Sequence, residues 1–146
     1  MKGGKKMEFK KFGNYYVIRI DKGEEVLTTL AKFCKEEQIK VGQITGLGAT
    51  DKITIGLFNP DEKVYKKSEF TGPMEITSLV GNISSKNDEV YLHCHINVCD
   101  EKMNVLGGHL NECYISLTGE FIVTSIDGKV ERELDNSIGL NLFKFD

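Results

Sequence analysis

No apolar run in the chain approaches the roughly 18 to 20 residues that a membrane-crossing helix needs, which excludes a helical span. Arginine is scarce: Arg19 and Arg132 are the only two among nineteen basic residues, and the net charge is −3. A surface devoted to phosphate backbones would be basic and rich in arginine, so any contact with nucleic acid has to be local. The amino-terminal stretch lacks the apolar segment and small-residue cleavage site of an export signal, and the expected location is the cytoplasm. The four cysteines, Cys34, Cys94, Cys99 and Cys113, form no CxxC pair. In a chain of this size in a reducing compartment they are expected to stay as free thiols.

What is present is the composition of one globular domain: 146 residues, 40% hydrophobic and 28% charged. That length buries a core without a staple. Lys2, Lys5, Lys6, Lys10 and Lys11 make a basic, solvated arm of residues 1–12, ahead of a domain of residues 13–146. Tyr15 to Ile20 is β-branched and aromatic and reads as a strand. From Glu24 to Gln38 the period changes. Val26, Leu27, Leu30, Phe33 and Cys34 recur at spacings of three and four, which predicts a helix with Glu24 and Glu25 in its first turn. Beyond Ile39, short runs of Val, Ile, Thr, Phe and Tyr alternate with turn residues such as Asn59-Pro60-Asp61 and Thr71-Gly72-Pro73. Strands are expected over about 42–47, 52–58, 64–70, 75–84, 89–99, 105–126 with a break, 129–134 and 140–145. The fold class is therefore α+β, a mostly antiparallel, curled sheet with one long helix on it. Gly46-Leu47-Gly48 is followed by no helix and reads as a turn or bulge rather than a phosphate loop.

Parity sorts the segment from Glu89 to Cys99. Val90, Leu92, Cys94, Ile96 and Val98 share one face and enter the core; Tyr91, His93, His95, Asn97 and Cys99 share the other. Asp100 to Asn104 suits a hairpin loop, and setting Cys99 opposite Val105 places His95 opposite His109. Directly opposed residues have Cβ atoms roughly 4.5 to 5.5 Å apart, and His93 lies two residues along the same face. All three histidines of the chain then meet in one patch. The same register sets Gly107 opposite Asn97 and Asn111 opposite His93, with an opening expected beside the imidazoles where Gly107 has no side chain. Three neutral imidazoles suit zinc best, with nickel, iron, cobalt and manganese also compatible, and leave a coordination position for water or a ligand. If the site is catalytic it needs an acid or base. Glu75, which interrupts a strand, is the candidate, and Asn111 and Glu112 stand close enough to orient an imidazole. Continuing the parity of His109 puts Ile115, Leu117, Phe121 and Val123 on the histidine face. That requires either a bulge near Glu112 or cover by another subunit.

His93-Cys94-His95-Ile96-Asn97-Val98-Cys99-Asp100 followed by Val105-Leu106-Gly107-Gly108-His109-Leu110 resembles the PPC domain, which is shared by plants and prokaryotes. The likeness extends to Ile44 to Ala49 and to Pro73 to Asn82. The resemblance implies a homotrimer of the prokaryotic single-domain type, with a metal ion, usually zinc, held by His93, His95 and His109. It also implies DNA as a partner, because plant members carry the domain beside an Arg-Gly-Arg-Pro minor-groove binder; this chain contains no such sequence. The fold is also similar to that of acetolactate decarboxylase. That likeness implies the alternative function, a metal-dependent lyase or hydrolase taking a small polar molecule at the metal.

Overall fold

Alternating β-branched and polar residues make this chain strand-rich, and the strands are long because bulges replace turns. The structure, a computed structural model, describes residues 7–146. In chain order the elements are β1 (Glu8–Phe12), β2 (Tyr15–Asp21), α1 (Val26–Glu36), β3 (Gly42–Asn59), β4 (Val64–Lys86), β5 (Glu89–Cys99), β6 (Val105–Ser125), β7 (Glu131–Asp135) and β8 (Leu140–Lys144). The sheet runs β1-β2-β6-β3-β4-β7-β8, and β5 pairs with both β4 and β6. The ladders β3–β4, β4–β5, β5–β6 and β6–β3 are all antiparallel and close on themselves, which is the curl expected of the sheet. A single parallel bridge, Ser85 to Glu131, attaches the β7–β8 hairpin.

Several elements differ from their expected bounds. Residues 8–12, expected within a solvated arm, form β1 on β2, so the boundary expected after residue 12 falls inside a hairpin. All five of those residues are exposed, and Lys2, Lys5 and Lys6 lie outside the described residues. The helix is eleven residues rather than fifteen, because Glu25 caps its start instead of entering it and Glu37 caps its end, ahead of Gln38 at φ +58. Its carboxylate accepts from the backbone N–H groups of Leu27 (3.0 Å) and Thr28 (2.8 Å), satisfying two orphan donors of the first turn. The same carboxylate accepts from Cys113 N–H at 3.1 Å and so ties α1 to β6.

The breaks expected near residues 48–51 and 71–74 are absorbed into continuous strands. The first becomes two register shifts, flanking Gly48 and Thr50. Gly48 has φ +151, and a Cβ there would sit 2.2 Å from the Thr118 carbonyl oxygen, so only glycine fits. Thr50, fully buried, donates its hydroxyl to the Tyr114 carbonyl at 2.6 Å and holds the bulge. Inside the curl, Ile18, Ile44, Ile53, Leu79, Ile96 and Phe121 form the core with Leu30 and Phe33 of α1. Among the described residues no helix is long and apolar enough to cross a membrane.

Candidate metal centre

β5 keeps the predicted parity. Cys94, Ile96 and Val98 are buried, while His95 and Asn97 are exposed on the opposite face and His93 is half-buried there. The β5–β6 ladder also keeps the predicted register, from Cys99–Val105 to His95–His109. It ends at that histidine pair. Beyond it β5 stays on β4, where His93 opposes Asn82, and β6 stays on β3, where His109 opposes Gly56. Asn111 therefore does not oppose His93. The reason is a bulge: Ile55 pairs with Leu110 but Thr54 with Glu112, so Asn111 is the extra residue. The bulge also answers the apolar run that follows. It switches faces, turning Cys113 and Ile115 into the core as Leu110 is, and a second shift opposite Ala49 leaves Leu117 exposed while Phe121 and Val123 are buried.

The three imidazoles converge. Their ring centroids are 5.1 Å (His93–His95), 5.2 Å (His93–His109) and 5.6 Å (His95–His109) apart, and one ligand nitrogen from each lies within 4.8 Å of the others. A tetrahedral zinc with bonds of 2.0–2.1 Å needs nitrogens about 3.3 Å apart, a contraction within reach of small side-chain rotations. None of the three donates to or accepts from another protein group among the described residues, so their nitrogens are uncommitted. Burial holds the His93 pKa down to about 4, with the neighbouring imidazoles and Arg132 adding to the depression. Burial and His95 lower that of His109. Neutral imidazole is the metal-binding form. The donor set, with the charged forms of His93 and His109 disfavoured, fits a transition metal.

A cavity of about 720 Å³ opens beside the triad, between β5, β3 and the β7–β8 hairpin. It does not arise where the sequence placed it. The space over Gly107 is filled by Asn97, whose Oδ1 lies 2.1 Å from where a Cβ would be. Gly108 instead permits close packing of β6 on β3, a Cβ there standing 2.9 Å from the Gly56 carbonyl oxygen. The cavity is bounded by Tyr65, whose ring meets His109 edge-on at 5.8 Å and whose hydroxyl donates to Asn111 Oδ1, and by Tyr91, Leu57, Leu140 and Leu142. Arg132 reaches in from β7. Its guanidinium lies 4.7 Å from the Tyr91 ring centre and 4.3 Å from that of Phe143, with Nε donating to Ser84 Oγ (2.7 Å) and Nη1 to the Asn141 carbonyl (2.9 Å).

The carboxylates named from sequence lie elsewhere. Glu75 is exposed and pairs with Cys99 and Ala49, roughly 13 Å along β5 from His95, and does not line the cavity. Glu112 accepts from the Tyr114 hydroxyl at 2.8 Å and from Thr54 Oγ1 at 3.4 Å, on the far side of the bulge. Neither approaches an imidazole as a hydrogen-bond partner. Sequence reasoning missed Tyr65 and Arg132. Tyr91 was visible in the parity of β5, but nothing local marks a residue on β7 as a neighbour of one on β5.

Residues 7–127 match the model of the Plants and Prokaryotes Conserved (PCC) domain. Three solved structures are similar over nearly their whole length. A proposed DNA-binding protein from Bacteroides thetaiotaomicron is 39% identical, with 97% of this chain and 99% of that one covered and a TM-score of 0.94. A plant- and prokaryote-conserved protein from Pyrococcus horikoshii is 33% identical, with 99% and 98% covered and a TM-score of 0.83. A protein from Archaeoglobus fulgidus described as metal-containing is 30% identical, with 97% and 99% covered and a TM-score of 0.84. A Staphylococcus aureus protein similar to acetolactate decarboxylase shares the fold alone, at 10% identity and a TM-score of 0.54. None of the curated proteins compared matches the chain.

Proposed function

The chain belongs to the Plants and Prokaryotes Conserved domain family, and from that premise we propose that it is a homotrimeric metalloprotein holding zinc through His93, His95 and His109. The observation that carries the reading is the convergence of three uncommitted imidazoles with ligand atoms within 4.8 Å. The metal-containing description of the Archaeoglobus relative supports it. Zinc bound there would supply a Lewis acid with an open position for water or a polar ligand. This chain's own residues set the rest: Tyr65 buttresses the His109 ring, and Arg132 fixes the charge of the cavity wall.

Self-association, which a trimer requires, has separate support. Pairing across the sheet sets Val17 opposite Ile122, Ile122 opposite Thr45, Thr45 opposite Val80, and Val80 opposite His95. This row lies on one face, and Val17, Ile122 and Val80 are 48%, 47% and 54% exposed. An apolar row leading to the metal residues is a surface for a second copy. Glu75, on the same outward face as Cys99, would then act as an acid or base only from a neighbouring subunit. The reducing cytoplasm suits a chain whose Cys34, Cys94 and Cys113 are free and buried.

Metal analysis of purified protein tests the centre. About one zinc per chain is expected in the wild type and almost none in His93→Ala/His95→Ala, and equal, negligible metal in both sinks the reading. DNA as a partner is supported by the naming of the Bacteroides relative. Its test is a mobility shift that weakens with salt and on deleting residues 1–6, which spares β1. The cavity beside the triad favours a second reading, a metal-dependent lyase or hydrolase of a small molecule.

A further inference from the structure

Arg132 is only 9% exposed, yet it has no carboxylate partner among the described residues. A guanidinium taken out of water normally requires one, because an uncompensated buried charge is costly. The cavity it faces offers none: among the described residues no aspartate or glutamate lines it, and its titratable neighbours are two tyrosines and the three histidines. Its two hydrogen bonds go to neutral acceptors, Ser84 Oγ and the Asn141 carbonyl. Those bonds and the flanking Tyr91 and Phe143 rings hold the planar group in place and leave Nη2 without a partner among the described residues. A fixed, desolvated fork with a free edge is how proteins bind a planar anion. The remaining wall is apolar, made by Leu57, Phe58, Leu140 and Leu142. Loading the triad with a divalent ion would add positive charge to the same cavity and deepen its need for an anion.

We propose that this cavity is the binding site of a small monocarboxylate with an apolar body, its carboxylate on Arg132 and its body against Leu57, Phe58, Leu140 and Leu142, beside the histidine triad. The inference rests on the reading of the triad as a metal centre only in that the ligand lies next to the ion. A single guanidinium without lysine or a helix N-terminus in the lining matches one unit of negative charge, which favours a carboxylate over a phosphate dianion.

Hexanoate is the probe, with hexanamide and inorganic phosphate as controls, titrated calorimetrically into metal-free protein, where Arg132 is the one fixed cation in the described lining. Hexanoate is expected to bind at least about tenfold more tightly than either control. Arg132→Gln should lose that advantage while keeping its zinc content and its affinity for hexanamide. Equal hexanoate affinity in wild type and Arg132→Gln overturns the proposal, as does phosphate binding more tightly than hexanoate. If the variant does not fold, the wild type decides the question. With two arginines in the chain, its side-chain Nε–H spectrum holds two signals, identified through Arg19→Gln. Hexanoate should shift the Arg132 signal saturably and leave that of Arg19 in place, and an unmoved Arg132 signal refutes the site. The same titration on zinc-loaded protein separates the two readings. Absence of zinc in the wild type overturns the metal centre, whereas the Arg132 signal reports on the carboxylate site in either state.

Discussion

Burial of the His93 imidazole opposes its charged form, and this sets how the metal-free protein responds to acid. His93 titrates near 4 in the folded chain, against 6.5 for a free histidine, chiefly because burial opposes its charged form. Between those values the unfolded chain binds the extra proton and the folded chain does not. Stability is therefore complete above pH 6.5 and falls as the pH drops toward 4. Thermal melts of metal-free protein across that range are expected to show a falling midpoint, and the fall should be reduced in His93→Asn; a flat profile would contradict the burial described for the triad. The same scale shows what the sequence hides. His93, His95 and His109 could be found because strand parity and hairpin register are arithmetic. Arg132 could not, since its place beside His93 depends on a parallel bridge between Ser85 and Glu131, 46 residues apart, and on no periodicity at all.

At the level of elements, β5 was legible to the residue because its apolar positions alternate without interruption and polar loops bound it at both ends. β3, β4 and β6 were legible only in pieces. Each contains a bulge, and a bulge looks in sequence like a turn: Gly48, Gly72 and Asn111 interrupt the alternation without ending the strand. The bulge at Asn111 is what reconciles an exposed His109 with a buried Cys113. Helix α1 owes its start to one side chain. Glu25→Ala removes the acceptor of two helix N–H groups and of Cys113 N–H, and is expected to destabilise the fold by about 1 to 3 kcal/mol in chemical denaturation. Glu25→Asp or Glu25→Asn should recover only the capping part, because the shorter side chain gives up the reach to β6. Full stability in the alanine variant would show that this carboxylate holds neither element.

For the whole molecule, a mostly antiparallel, curled sheet with one helix follows from strand patterning, but that strands so dominate the expected α+β fold, that the curl closes and the order of its strands do not. That β6 lies between β2 and β3, and that the β7–β8 hairpin pairs with β4, are consequences of packing between distant segments. The outward row of Val17, Ile122 and Val80 likewise has no meaning in sequence until the registers are known. Ile122→Glu places a charge in the middle of that row without touching the core. A trimer in the wild type should become a folded monomer in this variant, seen as a threefold drop in mass by light scattering with an unchanged circular dichroism spectrum. A wild type that is already monomeric would leave the row without the proposed role.

The β5–β6 ladder stops at His95 and His109, and the two strands part there like the legs of a zipper. His93 stands just past the last tooth. A cation gripped by these three side chains would span the gap as one more rung, doing with coordinate bonds what backbone hydrogen bonds cease to do. Hydrogen exchange should report it: amides from Leu92 to His95 and from Gly108 to Glu112 are expected to slow on metal loading, while those of the distant β1–β2 hairpin keep their rates.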